Sequence, residues 1–254
     1  MRPVSAPREV VSGGKSGRIW HQRLLLDERP GGCSFRSAGF QTLGSRPWSD
    51  FTQTRSHWWW RPGWGPGARF LTFHLTFERA PELQATASRF TERAIAIEYV
   101  DPVPLEWLHL TMTGVGFAGD VSADRLAALS SAVFDGASTL AFEPLAFNSL
   151  FLSREGIMLA ARPDPWLREL KALQERTVSE VCGVPQSGQE FHPHVSLAYF
   201  HGIVDTSAVV DAVDDISEVT VARPMLSLIE LGRDDEVYTW RGVAQCDLGS
   251  PRTT

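Results

Sequence analysis

Segments that predict strands and segments that predict helices alternate irregularly from residue 69 onward. This order limits the possible folds more than any other feature of the sequence. Runs rich in aromatic and β-branched residues predict strands, at Arg69–Phe77, Leu105–Phe117, Leu140–Leu152, Gly156–Ala161, Phe191–Phe200, Val219–Leu231 and Glu236–Gln245. Start and stop residues predict helices, at Glu82–Ile95 after Pro81, from Ser122 to about Phe134, from Pro163 or Asp164 to about Val181 with a stop at Gly183, and at Thr206–Asp214. Consecutive strands without an intervening helix form hairpins, so we expect an α+β fold with mostly antiparallel sheets.

The first 48 residues show no sustained apolar period and are rich in Gly, Ser, Arg and Pro. Because such a composition is typical of disorder, we predict a disordered basic leader at 1–48, with local order only at Ile19–Leu26. Lys15 and Ser16 follow a glycine as in a phosphate-binding loop. Glu9 stands where that motif needs its first glycine, so the phosphate-loop interpretation fails.

Four tryptophans fall within seven residues, between Trp58 and Trp64. Indole rings gain much free energy when they are buried, so we interpret 49–68 as a hydrophobic latch that folds back onto a domain at 69–248. A second interpretation stays open, in which Trp64 or Arg61 forms a wall of a pocket and stacks on a nucleobase.

The composition is that of a globular protein without a membrane anchor, with 43% hydrophobic and 21% charged residues. No apolar run reaches the roughly 18 residues of a membrane helix, and the N-terminus lacks the apolar core of a signal peptide. The three cysteines have no metal-binding spacing; they are Cys33, Cys182 and Cys246. We therefore expect a cytoplasmic monomer with free thiols, no membrane partner and a short tail at 249–254.

The net charge of −6 is unevenly divided along the chain. Residues 1–66 hold ten basic and four acidic side chains, whereas residues 67–254 hold fourteen basic and twenty-six acidic ones. Nonspecific affinity for long nucleic acid comes mainly from Lys and Arg on phosphates. The acidic body therefore disfavours that function and is compatible with a small phosphorylated substrate in a local positive pocket.

A His-x-Ser/Thr motif occurs once in each half of the domain, on a predicted strand that follows a predicted helix, as His109-Leu110-Thr111 and His194-Val195-Ser196. Residues i and i+2 of a strand share a face, so each motif presents an imidazole and a hydroxyl together. An imidazole exchanges protons near neutral pH, and a hydroxyl donates hydrogen bonds to phosphoryl oxygens. Two such pairs would supply an acid and a base on opposite sides of a phosphate.

With their neighbours, these motifs resemble those of the 2H phosphoesterase superfamily, which includes 2'-5' RNA ligase-like proteins and cyclic nucleotide phosphodiesterases. The matching segments are Leu108-His109-Leu110-Thr111-Met112 and Pro193-His194-Val195-Ser196-Leu197-Ala198-Tyr199, within roughly Arg69–Leu248. The resemblance implies a bilobal fold, in which two sheets with flanking helices are related by a pseudo-twofold axis around a central groove. It also implies that His109 and His194 are the acid/base pair, that Thr111 and Ser196 hold the phosphate, and that no metal or other cofactor is needed.

Five further residues are candidates for the pocket, each with packing or surface salt bridging as the alternative role. They are His74, which begins a third His-x-Thr match, Tyr199, Phe117, Arg162 and Trp64. Arg176, like Arg162, is a second possible source of positive charge for a phosphate. His192 shares a face with His194, but no carboxylate or third histidine stands at a convincing spacing, so we expect no metal site.

Three functions of different kinds are compatible with these observations. The first is a hydrolase that acts on a 2',3'-cyclic phosphate or a 2'-5' phosphodiester of a nucleotide or RNA end by paired-histidine catalysis. The second is a module that binds such an end without turnover, and the third is a metal hydrolase that uses His192 and His194. The direction of the reaction, hydrolysis or ligation, and the assignment of acid and base stay open.

Overall fold

A computed structural model describes residues 51–162, 164–185, 190–213 and 217–248. The predicted leader at 1–48, with Cys33 and the Ile19–Leu26 stretch, lies outside the described residues, as do Pro163 and the predicted tail at 249–254. Cys182 is a free thiol, as expected.

Nine strands and four α-helices make up the described part of the chain. The strands are β1 Phe70–Thr76, β2 Val100–Pro102, β3 His109–Phe117, β4 Leu145–Ser153, β5 Gly156–Ala161, β6 His194–Phe200, β7 Val219–Val221, β8 Met225–Gly232 and β9 Thr239–Asp247. The helices are α1 Pro81–Ala94, α2 Ala123–Ala137, α3 Pro165–Cys182 and α4 Thr206–Val213. None of the helices in these ranges is both long and apolar enough to cross a membrane.

All nine strands belong to one antiparallel sheet, in the order β7-β4-β5-β6-β3-β1-β8-β9, with β2 paired to β6. The expected α+β class and antiparallel pairing are confirmed. The expectation of two separate sheets is wrong, because Leu110 of β3 pairs with Val195 of β6 and joins the two halves. Both residues are fully buried, and buried backbone groups are satisfied by pairing with each other.

Three strands begin later along the chain than the apolar pattern predicts, each directly after a proline. The prolines are Pro144 before β4, Pro193 before β6 and Pro224 before β8. Proline lacks the N–H that a ladder needs and is confined to edges and strand starts. It therefore ends the predicted strands at 140–152 and 191–200 on their N-terminal sides. It also divides the run at 219–231 into β7, which pairs with β4, and β8.

The remaining differences concern short turns. Residues 105–107 form a 3₁₀ turn, so the strand predicted from Leu105 begins only at His109. The short strand β2 was not predicted. Helix ends agree with the expected signals: the Ser122 hydroxyl accepts a hydrogen bond from the Arg125 N–H, and Gly183 ends α3 with φ 71°.

Helices α1 and α3 pack on β6 and β3 respectively, over the face that carries Leu110 and Val195.

Candidate active site

The two histidine motifs lie side by side on the central strands β3 and β6. Leu110 pairs with Val195 in antiparallel register, so the motifs run past each other in opposite directions. Alternation along each strand turns the residues on either side of this pair to the opposite face of the sheet. The structure thereby brings four predicted residues together on one face, which we call the active face: His109, Thr111, His194 and Ser196.

Each of the two histidines is held by the same kind of hydrogen bond. Nδ1 of His109 lies 2.8 Å from the carbonyl oxygen of Trp107, and Nδ1 of His194 lies 2.8 Å from the carbonyl oxygen of His192. A carbonyl oxygen only accepts, so Nδ1 carries the proton in both rings. In the neutral form, Nε2 of each ring is then the basic nitrogen that can take a proton.

Both histidines are less basic than histidine in water. Burial lowers the pKa of His109 to about 4, the Trp107 carbonyl opposes this shift, and the nearby His194 adds to it. Burial is also the main cause that lowers the pKa of His194, against its bond to the His192 carbonyl. A histidine with a lowered pKa is neutral at pH 7, and a nearby anion favours its charged form. A bound phosphate would therefore raise both pKa values and allow one ring to hold a proton.

Three rings enclose His109, of which only 8% is exposed. His74 of β1 stacks on it, with ring centroids 4.4 Å apart and planes inclined by 5°. Trp240 approaches edge-on at 5.2 Å and Tyr238 at 6.3 Å. The predicted candidate His74 thus lies directly against His109. Sequence reasoning missed Tyr238 and Trp240, although their Tyr-x-Trp spacing at a strand start was an available signal for a shared face.

A β-bulge brings Tyr199 to the active face. Two successive residues of β5 pair with Ser196 and Ala198, so Leu197 is an extra residue on β6. A bulge changes the alternation of the side chains that follow it, and Tyr199 consequently lies on the same face as Ser196. Burial raises the pKa of Tyr199, and the neighbouring Ser196 side chain opposes that rise. The predicted candidate Tyr199 is therefore a neighbour of the second motif.

The remaining pocket candidates have other neighbours. Trp64 packs against Phe70 and Phe117 at centroid distances of 5.9 and 5.8 Å, in a second apolar cluster. Arg162 is largely exposed, and its guanidinium lies 3.5 Å from Glu218. The contacts described for Trp64, Phe117 and Arg162 involve neither His109 nor His194. Their position in the pocket therefore stays a prediction.

His192, the partner of the alternative metal site, lies with its Nε2 3.6 Å from the exposed carboxylate of Glu190. Within the described ranges, no group of three or more His, Cys, Asp and Glu side chains is arranged to hold a metal ion.

The tryptophan-rich segment is bound to the domain through Glu155, in the turn between β4 and β5. Its carboxylate accepts hydrogen bonds from Arg55 at 2.9 Å, Arg61 at 2.8 Å, Trp59 at 3.0 Å and His57 at 3.2 Å. Arg61 and His57 are almost fully buried, at 5% and 2% exposure. A single carboxylate thus fixes four side chains of the segment.

His57 connects this segment to the active face. Its ring stacks on Tyr199 at 4.1 Å, and its Nε2 accepts a hydrogen bond from the Tyr238 hydroxyl at 2.9 Å. These two tyrosines adjoin Ser196 and His109 respectively. Sequence reasoning singled out Trp64 or Arg61 as the residue that reaches the pocket, whereas the structure brings His57 against the active-face tyrosines.

The fold and the paired histidine motifs of this chain are those of the two-histidine phosphoesterase superfamily. The chain belongs to the 2'-5' RNA ligase superfamily, whose sequence profile matches residues 77–235. No curated protein sequence matches the chain significantly.

Solved structures share the fold at low sequence identity. E. coli LigT in its apo form is 15% identical with a TM-score of 0.51, over 72% of this chain and 99% of that chain. The protein TT0787 of Thermus thermophilus is 17% identical with a TM-score of 0.53, over 70% of this chain and 97% of that chain. E. coli LigT complexed with 3'-AMP is 15% identical with a TM-score of 0.50, over 72% and 99% of the two chains.

Proposed function

We propose that this chain is a metal-independent phosphoesterase that acts on a 2',3'-cyclic phosphate or a 2'-5' phosphodiester of a nucleotide or RNA end. The observation that carries the proposal is the matched pair of imidazoles on adjacent strands, each with Nδ1 bonded to a carbonyl two residues earlier. The repeated arrangement supports the expected pseudo-twofold relation between the two motifs. Because one chain supplies both histidines, a monomer is sufficient for the reaction.

In hydrolysis, Nε2 of one histidine takes a proton from water while the water oxygen bonds to phosphorus. The bond from phosphorus to one ribose oxygen breaks, and the other histidine gives that oxygen its proton. The Thr111 and Ser196 hydroxyls donate hydrogen bonds to the phosphoryl oxygens, where negative charge develops. Which histidine is the acid depends on which ribose oxygen leaves, and ligation exchanges the two roles.

Substrate binding prepares the acid in this scheme. Burial keeps the pKa of both free histidines low, so the unliganded site at neutral pH holds two bases. The phosphodiester carries a negative charge that favours the protonated form of a neighbouring imidazole. A ligand with that charge, placed between the rings, raises the pKa of an imidazole, which then takes a proton from solvent and becomes the acid.

The same low pKa values favour a second function, a module that binds a nucleotide or RNA end without turnover. If the bound phosphate does not raise the pKa of either imidazole enough for that ring to take a proton from solvent, the leaving oxygen has no proton donor and the site only binds. The E. coli LigT complex with 3'-AMP involves a protein of the same fold, and a nucleotide monophosphate is the appropriate probe for this alternative.

The test is product formation from nucleoside 2',3'-cyclic phosphates and short 2'-5' oligonucleotides in excess chelator. Wild type should turn over, whereas His109→Ala and His194→Ala should each lose at least about 100-fold in kcat/KM, the usual contribution of general acid–base catalysis. His201→Ala is the matched control, because that ring is partly exposed and bonds Asp101 at 2.9 Å. Full activity in either motif variant would refute the proposal. Saturable 3'-AMP binding without turnover would favour the binding module.

A further inference from the structure

His74 has a position that neither the motif pair nor the hydrogen-bond network explains. It lies on β1, next to β3 in the sheet, and its backbone partner across the strands is Thr111. Only 1% of the residue is exposed, and its Nδ1 is buried without a hydrogen-bond partner. An unsatisfied buried polar atom costs about 1–3 kcal/mol, a cost that a phenyl ring at this position would avoid.

The hydrogen bond from His109 to the Trp107 carbonyl leaves one freedom of the imidazole ring uncontrolled. The bond holds Nδ1 near the carbonyl oxygen, but small rotations about χ1 and χ2 can still tilt the ring and move Nε2 across the active face. The His74 ring lies flat on one face of His109, with planes inclined by only 5°. Trp240 stands nearly perpendicular to both rings, at 84°. Together they restrict His109 to one plane.

We infer that His74 is a positioning residue, whose ring fixes the plane of His109 and excludes water from its inner face. The inference rests on the proposed catalytic role of His109. A misplacement of about 1 Å at a reacting group can cost about 100-fold in rate, so we expect a large effect on kcat without direct contact between His74 and the substrate. The ring also keeps the surroundings of His109 dry, which is the main reason for its lowered pKa.

Protonation of His74 itself is not needed for this role. The titratable groups near the stacked pair of His74 and His109 are His194 on β6 and Tyr238 beside β9. The hydroxyls of Thr76 and Ser227, on β1 and β8, bond each other at 2.9 Å rather than His74. Burial and then His109 lower the pKa of His74, so it stays neutral when His109 takes a proton, and the charge lies over a neutral ring.

The experiment compares His74→Leu, which removes the flat ring, with His74→Phe, which keeps it without a titratable nitrogen. We expect a loss of about 100-fold in kcat for Leu with little change in KM, and recovery of most of that loss by Phe. In parallel, NMR titration of labelled imidazoles should find the His109 pKa raised toward 6.5 in the Leu variant and unchanged in the Phe variant. Thermal unfolding of each variant confirms that both are folded.

The inference is overturned if Phe loses as much activity as Leu, because the imidazole nitrogens then take part directly. It is equally overturned if the His109 titration is the same in all three proteins. The NMR readout does not depend on turnover. A wild type without activity would therefore refute the proposed function, while the titration still decides whether His74 sets the environment of His109.

Discussion

Removal of the charge at Glu155 should release the tryptophan-rich latch and destabilise the protein by an amount that the structure allows us to work out. Burial alone raises the pKa of Glu155, but hydrogen bonds from His57 and Trp59 and the charge of Arg61 outweigh it and lower the pKa to about 2, from a reference value of 4.5. At about 1.4 kcal/mol per unit, this shift corresponds to about 3 kcal/mol. Loss of one partner from a buried ion pair gives a similar figure of about 3–5 kcal/mol.

The sign of the pH dependence follows from the lowered pKa. The stabilisation by Glu155 is fully present above pH 4.5, and it is lost as the pH falls from 4.5 toward 2. Urea unfolding of Glu155→Gln, followed by circular dichroism, should therefore show a loss of about 3 kcal/mol between pH 5 and pH 8. Below pH 4.5 the difference from wild type should shrink.

Glu218→Gln provides the matched control, because Glu218 is more than half exposed and its contact with Arg162 is 3.5 Å long. A surface pair of this kind contributes about 0–1 kcal/mol. If Glu155→Gln and Glu218→Gln unfold alike, or if the effect of Glu155→Gln does not decrease below pH 4.5, Glu155 does not hold the latch in the way the structure indicates.

Three further predictions concern the active face and its titration. The optimum of kcat/KM should lie below pH 6.5, because kcat/KM reports the titration of the unliganded site and burial lowers the pKa of both His109 and His194 there. A profile measured from pH 4 to 8 that peaks above 7 would contradict this. The free energy of unfolding of the wild type, measured in urea, should fall as the pH drops from 6.5 to 4. Burial lowers the pKa of His57 and His109 to about 4 in the folded protein, so the unfolded chain binds protons at these residues first. A free energy of unfolding that does not change over this range would refute the burial argument. Ser196→Ala and Thr111→Val should each reduce kcat/KM by about 10-fold, the value of one hydrogen bond to a charged group; unchanged kinetics would exclude these hydroxyls from phosphate binding.

Helix ends and strand starts illustrate what local sequence signals can and cannot predict. Pro81, Ser122 and Gly183 each act on their own few neighbours, and the helices that they begin or end agree with the expected bounds. The apolar runs that predicted β4 and β6, in contrast, begin several residues before the strands themselves begin. The prolines before these strands were visible in the sequence, and their missing N–H was the better predictor of where pairing begins.

The shared face of the imidazole and the hydroxyl within each motif was predictable, because it depends on the period of a strand. The meeting of the two motifs depends on the pairing of β3 with β6, and only the resemblance implied it. The neighbours of these motifs were not predictable, because they depend on pairing between distant segments. The stacking of His74 on His109 requires β1 beside β3, and the contact of Tyr199 with Ser196 requires the bulge at Leu197. Neither the strand order nor a bulge leaves a local pattern in a single sequence.

The two histidines differ in where their surroundings come from along the chain. The contacts described for His194 come from the His192 carbonyl and the Phe151 ring, both inside the segment 77–235 that matches the family. The rings packed on His109 come from His74, Tyr238 and Trp240, all outside that segment. Ring contacts set the orientation and hydration of an imidazole, and burial is the largest cause of the lowered pKa of both histidines. Changes outside the matched segment should therefore alter the titration of His109 while leaving that of His194 nearly unchanged. The flanking strands would then make the two histidines of the proposed acid/base pair unequal, although their motifs are similar.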